Sequence, residues 1–315
     1  MRQTLWLLLL GFFAQVVQAQ SFPSRPIEIV NAFAPGGTND LNVRALQVPA
    51  QKVLGVPLVQ TFRQGGGGIV GTTDVANAAP DGYKLLVVTS GELTAAPNLA
   101  KTTYTLDSFA FIARISSKPY ALVVKADAPW KDINEMLRAA KAPGARNTIG
   151  TTPAGGMFLT AQYLIRRGGV PLATVPYGGA GPALTAVLGG HIDLVWAPLA
   201  AAESQIKAGQ LRALAMSGNE RVLGHEKVPT FKELGIDSPH VQWTGLVAPK
   251  GTPPERLAVL RDAVARTLKD PGYLQTAERF GIAVAHSTAE EFEKLVRAEN
   301  DVFRNLVRDF DLMPK

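Results

Sequence analysis

The sequence predicts an α/β fold of two lobes, on three observations. Short apolar runs alternate with longer segments of helical spacing, as βαβ units and mostly parallel sheets require. A strand, a glycine-rich turn and a helix occur at residues 27–46 and again at 147–167. The 315 residues are 46% hydrophobic and 18% charged, a globular balance able to fill a large core.

From the N-terminus, Arg2 precedes an apolar run from Leu5 to Ala14, too short to stay in a membrane. Val17-Gln18-Ala19 then offers small residues before Gln20, the layout of a cleaved secretory signal over residues 1–19. No later stretch reaches ~18 uninterrupted apolar residues, so a soluble exported protein, periplasmic in location, is expected. Cysteine is absent, which excludes disulfides, thiolate catalysis and iron–sulfur clusters.

Strands are expected at 27–33, 56–60, 85–89, 109–115, 120–124, 147–150, 173–176, 192–196, 211–215 and 243–248. Helices are expected at 39–54, 69–78, 131–141, 156–167, 180–188, 201–208, 254–269, 273–280 and 288–308. Thr252-Pro253-Pro254-Glu255 marks one helix start, and Asp270-Pro271-Gly272 marks that helix's end. Thr288-Ala289-Glu290-Glu291 is a capping box ahead of Phe292, Leu295, Val296 and Phe303 at helical spacing. Pro49 conflicts with the pattern 39–54; inside a helix it should kink or break it, at a cost of ~3 kcal/mol.

The candidate site starts from Pro35-Gly36-Gly37-Thr38 and Ala154-Gly155-Gly156-Met157. A helix start holds about four unpaired N–H groups and a partial positive charge. Glycine lets a ligand approach that backbone closely, so the pair can hold carboxylates without charged side chains. Each Gly-Gly also suits a plain turn; the matched pair favours a site that grips both ends of a dicarboxylate. A third cluster, with Gly66, Gly68 and Gly71 in G-x-G-x-x-G and Glu92 about twenty residues on, has the form of a dinucleotide fingerprint. Any spacing can be found in a run of four glycines, and an exported protein rarely meets free NAD.

Other chemistries find little support. No serine sits in G-x-S-x-G. The four histidines are isolated, and His191-Ile192-Asp193 lacks a second ligand cluster, so no metal and no cofactor are expected. Lys and Arg number 32 against 26 Asp and Glu, for a charge of +6, without blocks. A nucleic-acid partner is not indicated, whereas a basic balance helps recruit anionic small molecules. The silence on catalysis favours binding over an enzyme.

These residues are similar to those of a known family. Pro23-Ser24-Arg25-Pro26-Ile27, Phe33 through Asp40 and Ala79-Pro80-Asp81-Gly82-Tyr83 match the opening of the Bug-type solute-binding proteins, the extracytoplasmic receptors of tripartite tricarboxylate transporters. Val175-Pro176-Tyr177-Gly178-Gly179-Ala180-Gly181, Gly189-Gly190-His191-Ile192-Asp193, Val228-Pro229-Thr230-Phe231 and Trp243-Thr244-Gly245-Leu246 match later segments in order. The resemblance implies a periplasmic-binding-protein (Venus flytrap) fold, with residues 20–123 and 241–315 in lobe 1 and 124–240 in lobe 2. It implies a carboxylate ligand held by main-chain N–H groups, a membrane permease as partner, and a monomer.

Carried over, Phe33, Ala34, Gly36, Gly37, Thr38, Asn39 and Asp40 form one wall. Thr152, Ala154, Gly155, Gly156 and Met157 form the other, with Ser90 and Tyr177 as further cleft residues and Ala197 on the floor. The hydroxyls of Thr38, Ser90, Thr152 and Tyr177 would add hydrogen bonds. Two departures matter. Where the family often has Ser-His, this chain has Met157-Phe158, which admits a ligand with an apolar or aromatic body or simply packs the helix. The loop usually Asn-Arg-Pro-Gly-Ala-Gly-Gly is Thr61 through Gly68 here. Two other readings stay open: a secreted NAD-linked oxidoreductase using the Gly66–Gly71 motif, and a sensor reporting the same ligand to a membrane kinase.

Overall fold

The computed structural model describes residues 22–152, 156–218, 221–222, 224–236 and 241–312. The segment 1–19, expected to be a secretory signal, lies outside them, as do Ala154 and Gly155 of the second glycine turn.

The first sheet begins with three parallel strands, β1 (Ile27–Asn31), β2 (Leu58–Phe62) and β3 (Lys84–Thr89), with β1 in the middle. The helices α1 (Thr38–Leu54) and α2 (Ile69–Ala76) make the crossovers that parallel pairing requires. Alternation along these strands assigns each residue to a face. Ile27, Ile29, Leu85 and Val87 pack in one cluster, and Val30, Leu86 and Val88 in another. Both faces of β3 are thus covered, and its Leu85 to Val88 form a continuous apolar run.

β4 (Phe109–Lys125) is one strand of 17 residues where the sequence suggests two. From Phe109 to Pro119 it pairs antiparallel with β9 (Val241–Pro249). From Tyr120 onward it lies between β7 (Leu194–Pro198) and β8 (Leu211–Met216). The polar interval Ser116 to Pro119 hides this continuity, since the ladder to β9 is what carries it. In the second sheet β5 (Thr148–Thr151) pairs in parallel with β6 (Ala173–Pro176) and β7. Each sheet thus has a parallel side, β2-β1-β3 in one and β6-β5-β7 in the other, and is antiparallel along β4, which pairs with β9 in the first sheet and with β7 and β8 in the second. The expectation of mostly parallel sheets is narrowed accordingly: β4 leaves the first sheet and β9 returns to it, so they run in opposite directions.

Between the two sheets' strands run α3 (Ala96–Leu99), α4 (Ile133–Ala140), α5 (Gly156–Arg166), α6 (Ala180–Leu188) and α7 (Leu199–Lys207). After β9 come α8 (Pro254–Thr267), α9 (Pro271–Arg279), the short strand β10 (Val284–Ser287) and α10 (Ala289–Phe310). α3 and β10 were not expected; at four residues each, neither carries a period long enough to read. β10 is fixed by pairing with Ser116 and Arg114 of β4.

Three local expectations are corrected. α1 runs unbroken through Pro49; Val43, Leu46, Pro49 and Ala50 are all buried on its inner face, and that packing outweighs one missing backbone bond. Thr252 does not cap α8, because its hydroxyl donates to the Pro249 carbonyl at 2.8 Å. Asp270 starts a helix as well as following one: its Oδ1 accepts from Gly272 N–H at 2.8 Å and Tyr273 N–H at 3.2 Å. The box at Thr288 forms as read, with Glu291 Oε2 accepting from the Thr288 N–H at 2.9 Å.

The second lobe's core centres on Trp196, stacked on Tyr120 with ring centroids 5.8 Å apart. A further apolar cluster joins Leu159 of α5 to Phe303, Leu306 and Val307 of α10, with Ala95 and Leu99. α10 therefore packs against elements of both sheets.

Candidate functional site

A cleft of about 470 Å³ opens where these elements meet. Its walls are the carboxyl ends of parallel strands and the helix starts that follow them, the usual ligand position of open α/β sheets. After β1 come Phe33, Ala34, Gly37, Thr38 and Asn39. The N-cap of α1, Gly37, supplies no side-chain cap, and the helix start at Gly37, Thr38 and Asn39 lines the cleft. From the other sheet come Thr152, Gly156 and Met157 at the start of α5. Beyond β3 the chain enters a π-turn, Gly91–Ala95, and Thr89, Ser90 and Gly91 line the cleft there.

Four expected residues are not among those lining the cleft. The Gly36 N–H is already taken, donating to Asp40 Oδ2 at 2.7 Å. Asp40 is buried and also accepts from Arg44 Nε at 2.8 Å, so it braces the turn rather than meeting a ligand. Tyr177 donates its N–H to the Thr151 carbonyl at 2.7 Å and packs against the second lobe's core. Ala197 is fully buried opposite Ala121; strand alternation turns it into that core. Ala154 and Gly155 lie outside the described residues.

The structure also separates the Met157-Phe158 pair. Met157 lines the cleft, while Phe158 packs against the α5–α10 cluster.

Sequence reasoning missed Gly66, Gly67, Ile69, Thr89, Gly91, Ala96, Leu99, Ala100, Tyr120 and Gln242 as lining residues. The strand-end rule applied to β2 would have found Gly66 and Gly67. Tyr120 and Gln242 lie on the crossing strands, where only tertiary pairing brings them to the cleft. Burial, and then the nearby Glu299 carboxylate, push the Tyr120 hydroxyl's pKa well up, which keeps it a proton donor. Asn39 Oδ1 and Gln242 Oε1 are buried acceptors with no hydrogen-bond partner among the described residues.

The lining combines backbone, hydroxyls and amides with Phe33, Ile69, Leu99 and Met157, and among the described residues it includes no charged side chain. Among those residues, too, no group of histidine, cysteine and carboxylates is placed to hold a metal. The dinucleotide motif is otherwise employed. A Cβ at Gly71 would come within 2.7 Å of the Arg63 carbonyl, so this glycine serves close packing of α2. Glu92 is fully buried and cannot reach a ribose in the cleft.

Two α/β lobes sharing a long crossing strand, with helix starts from both at one cleft, define a two-lobed solute-binding protein. The chain belongs to the tripartite tricarboxylate transporter receptor family, the Bug-type proteins; the family model matches residues 42–312. A crystal structure of a TctC solute-binding protein from Polaromonas is 33% identical, superposes with a TM-score of 0.83, and covers 92% of this chain and 100% of its own. MatC from Rhodopseudomonas palustris, solved with bound malate, is 29% identical with a TM-score of 0.76, covering 91% and 100%. Protein BugT of Bordetella pertussis is 29% identical over 98% of both chains.

Proposed function

We propose that this protein is a periplasmic receptor for an organic carboxylate, a dicarboxylate with an apolar or aromatic body, which it delivers to the membrane permease of a tripartite transporter. The observation that carries this reading is the cleft itself: two helix starts with an otherwise uncharged, largely apolar lining. Backbone N–H groups at Gly37–Asn39 and near Gly156 neutralise the carboxylates. Phe33, Ile69, Leu99 and Met157 receive the ligand's body. The volume falls in the ~300–1,000 Å³ range of small-ligand sites. The malate held by the Rhodopseudomonas relative supports the carboxylate class.

Lobe boundaries at 20–123 with 241–315, and 124–240, are supported by the change of partners along β4 near Tyr120. Closure around the ligand would exclude water and strengthen these contacts. A ligand shifts that closure only by its preference for the closed state. Export is supported by the signal at 1–19, and a monomer suffices because both walls come from one chain.

Calorimetry and thermal shift with a panel of aliphatic and aromatic mono-, di- and tricarboxylates test the reading. At least one diacid should bind; no heat and no melting shift from any member overturns it. A sensor would use the same cleft, and carboxylate uptake by a deletion strain separates transport from sensing.

A further inference from the structure

A buried carboxyl lies one layer behind the cleft wall. Glu92 sits in the π-turn after β3 and is fully buried. Its Oε1 accepts from Asn39 Nδ2 at 3.0 Å. Its Oε2 accepts from the Thr89 N–H at 3.0 Å and from the Thr89 hydroxyl. Its Cγ lies against Gly68, where a Cβ would stand only 2.8 Å away. Asn39 and Thr89 both line the cleft, as do Gly66 and Gly67 beside Gly68. The α1 start, the glycine run and the end of β3 therefore converge on one carboxyl.

Among the described residues no cation compensates it: the Glu92 carboxyl is held by neutral groups of Thr89 and Asn39. The titratable groups on the packed elements are accounted for. Beyond the π-turn, Tyr104 donates its hydroxyl to the Glu92 carbonyl at 2.8 Å. On α1, Asp40 is held by Gly36 and Arg44. On α10, Glu299 takes the Thr94 hydroxyl and Trp243 Nε1. On α2 and β3, Asp74 and Lys84 pair with each other. Glu92 stands as a charge site without a counterion, directly behind the wall that the carboxylate reading assigns to an anion.

Resting on that reading, we propose that Glu92 couples ligand capture to proton uptake: the cleft accepts its carboxylate with Glu92 protonated. Where Glu92 is ionised beforehand, each capture transfers one proton from solvent to a Glu92 oxygen. Like charges in a dry site resist joint ionisation, and the cheaper charge to remove is the one with no counterion. Protonated Glu92 keeps its bonds, accepting from Asn39 and donating to the Thr89 hydroxyl, which reverses its role. Burial already pushes the Glu92 pKa up to about 7, so a nearby anion need add little. The ligand-induced proton is expected at and above neutrality.

The test uses the full mature protein, with malate and phthalate as probes within the carboxylate panel. Calorimetry just above neutrality, in buffers of different ionisation heat, should show uptake approaching one proton per ligand. Affinity should fall by up to about tenfold per pH unit above neutrality. Glu92→Gln should abolish the uptake and flatten the pH slope. NMR of the glutamate carboxyls in ligand-free protein should show one signal, absent from Glu92→Gln, titrating near neutrality. Ligand binding without proton uptake, or an ordinary carboxylic titration of Glu92, overturns the inference while leaving the receptor reading intact. If no panel carboxylate binds, the receptor reading falls first and this inference with it. Should Glu92→Gln fail to fold, the wild-type proton count still decides.

Discussion

Met157 and Phe158 are adjacent in sequence and serve different parts of the molecule. Met157 faces the cleft, so Met157→Ala should weaken the best ligand about tenfold, as expected for removing its apolar surface from the ligand's body. Phe158 packs on the α5–α10 cluster; Phe158→Ala should instead cost about 2 kcal/mol of stability with little change in affinity. Titration calorimetry and urea unfolding on both variants read the contrast. Glu92 gives a second residue-scale expectation. Its folded pKa is raised from 4.5 to about 7. Its contribution to stability is therefore fully present below about pH 4.5 and is lost as pH rises through about 7. Melting wild type and Glu92→Gln across this window should show a falling trend in wild type that the variant lacks.

Among the elements, caps and packing decide more than local propensity does. Asp270 satisfies two N–H groups at the start of α9, so Asp270→Ala should cost about 1 kcal/mol, measured by urea unfolding. α1 shows the limit of propensity: Pro49 sits inside a continuous helix because the face it belongs to is buried against the first sheet and its covering helices. The π-turn at Gly91–Ala95 widens the backbone where β3 meets the cleft, a local irregularity of the kind found at functional positions. It also buries Glu92 rather than leaving it at the surface.

The whole molecule depends on two connections. β4 carries the first sheet's ladder into the second. The apolar cluster of Leu159 with Phe303, Leu306 and Val307 ties α5, whose start lines the cleft, to α10. Phe303 is almost fully buried there, so Phe303→Ala should cost about 3–5 kcal/mol, read by chemical denaturation. Because α5 presents its start to the cleft and its side to α10, ligand capture and this cluster act on one rigid element.

The amino-acid sequence alone determined the α/β class, nearly every long element and the glycine turn ahead of α1, because period, caps and glycine runs are local signals. Gly37, Thr38, Gly156 and Met157, which line the cleft, were legible for the same reason, as helix starts after strand ends; Ala34, Asn39, Ser90 and Thr152 came from the family resemblance. Tertiary structure decided the rest. Only the ladder to β9 makes β4 a single strand, and only that ladder brings Tyr120 and Gln242 to the cleft. Ala197 turned into the second lobe's core and Tyr177 packs against it, because the face a side chain takes depends on sheet partners distant in sequence. Glu92, placed by the sequence as a candidate ribose ligand, became a buried carboxyl because three cleft-wall segments close over it, a convergence set by long-range packing.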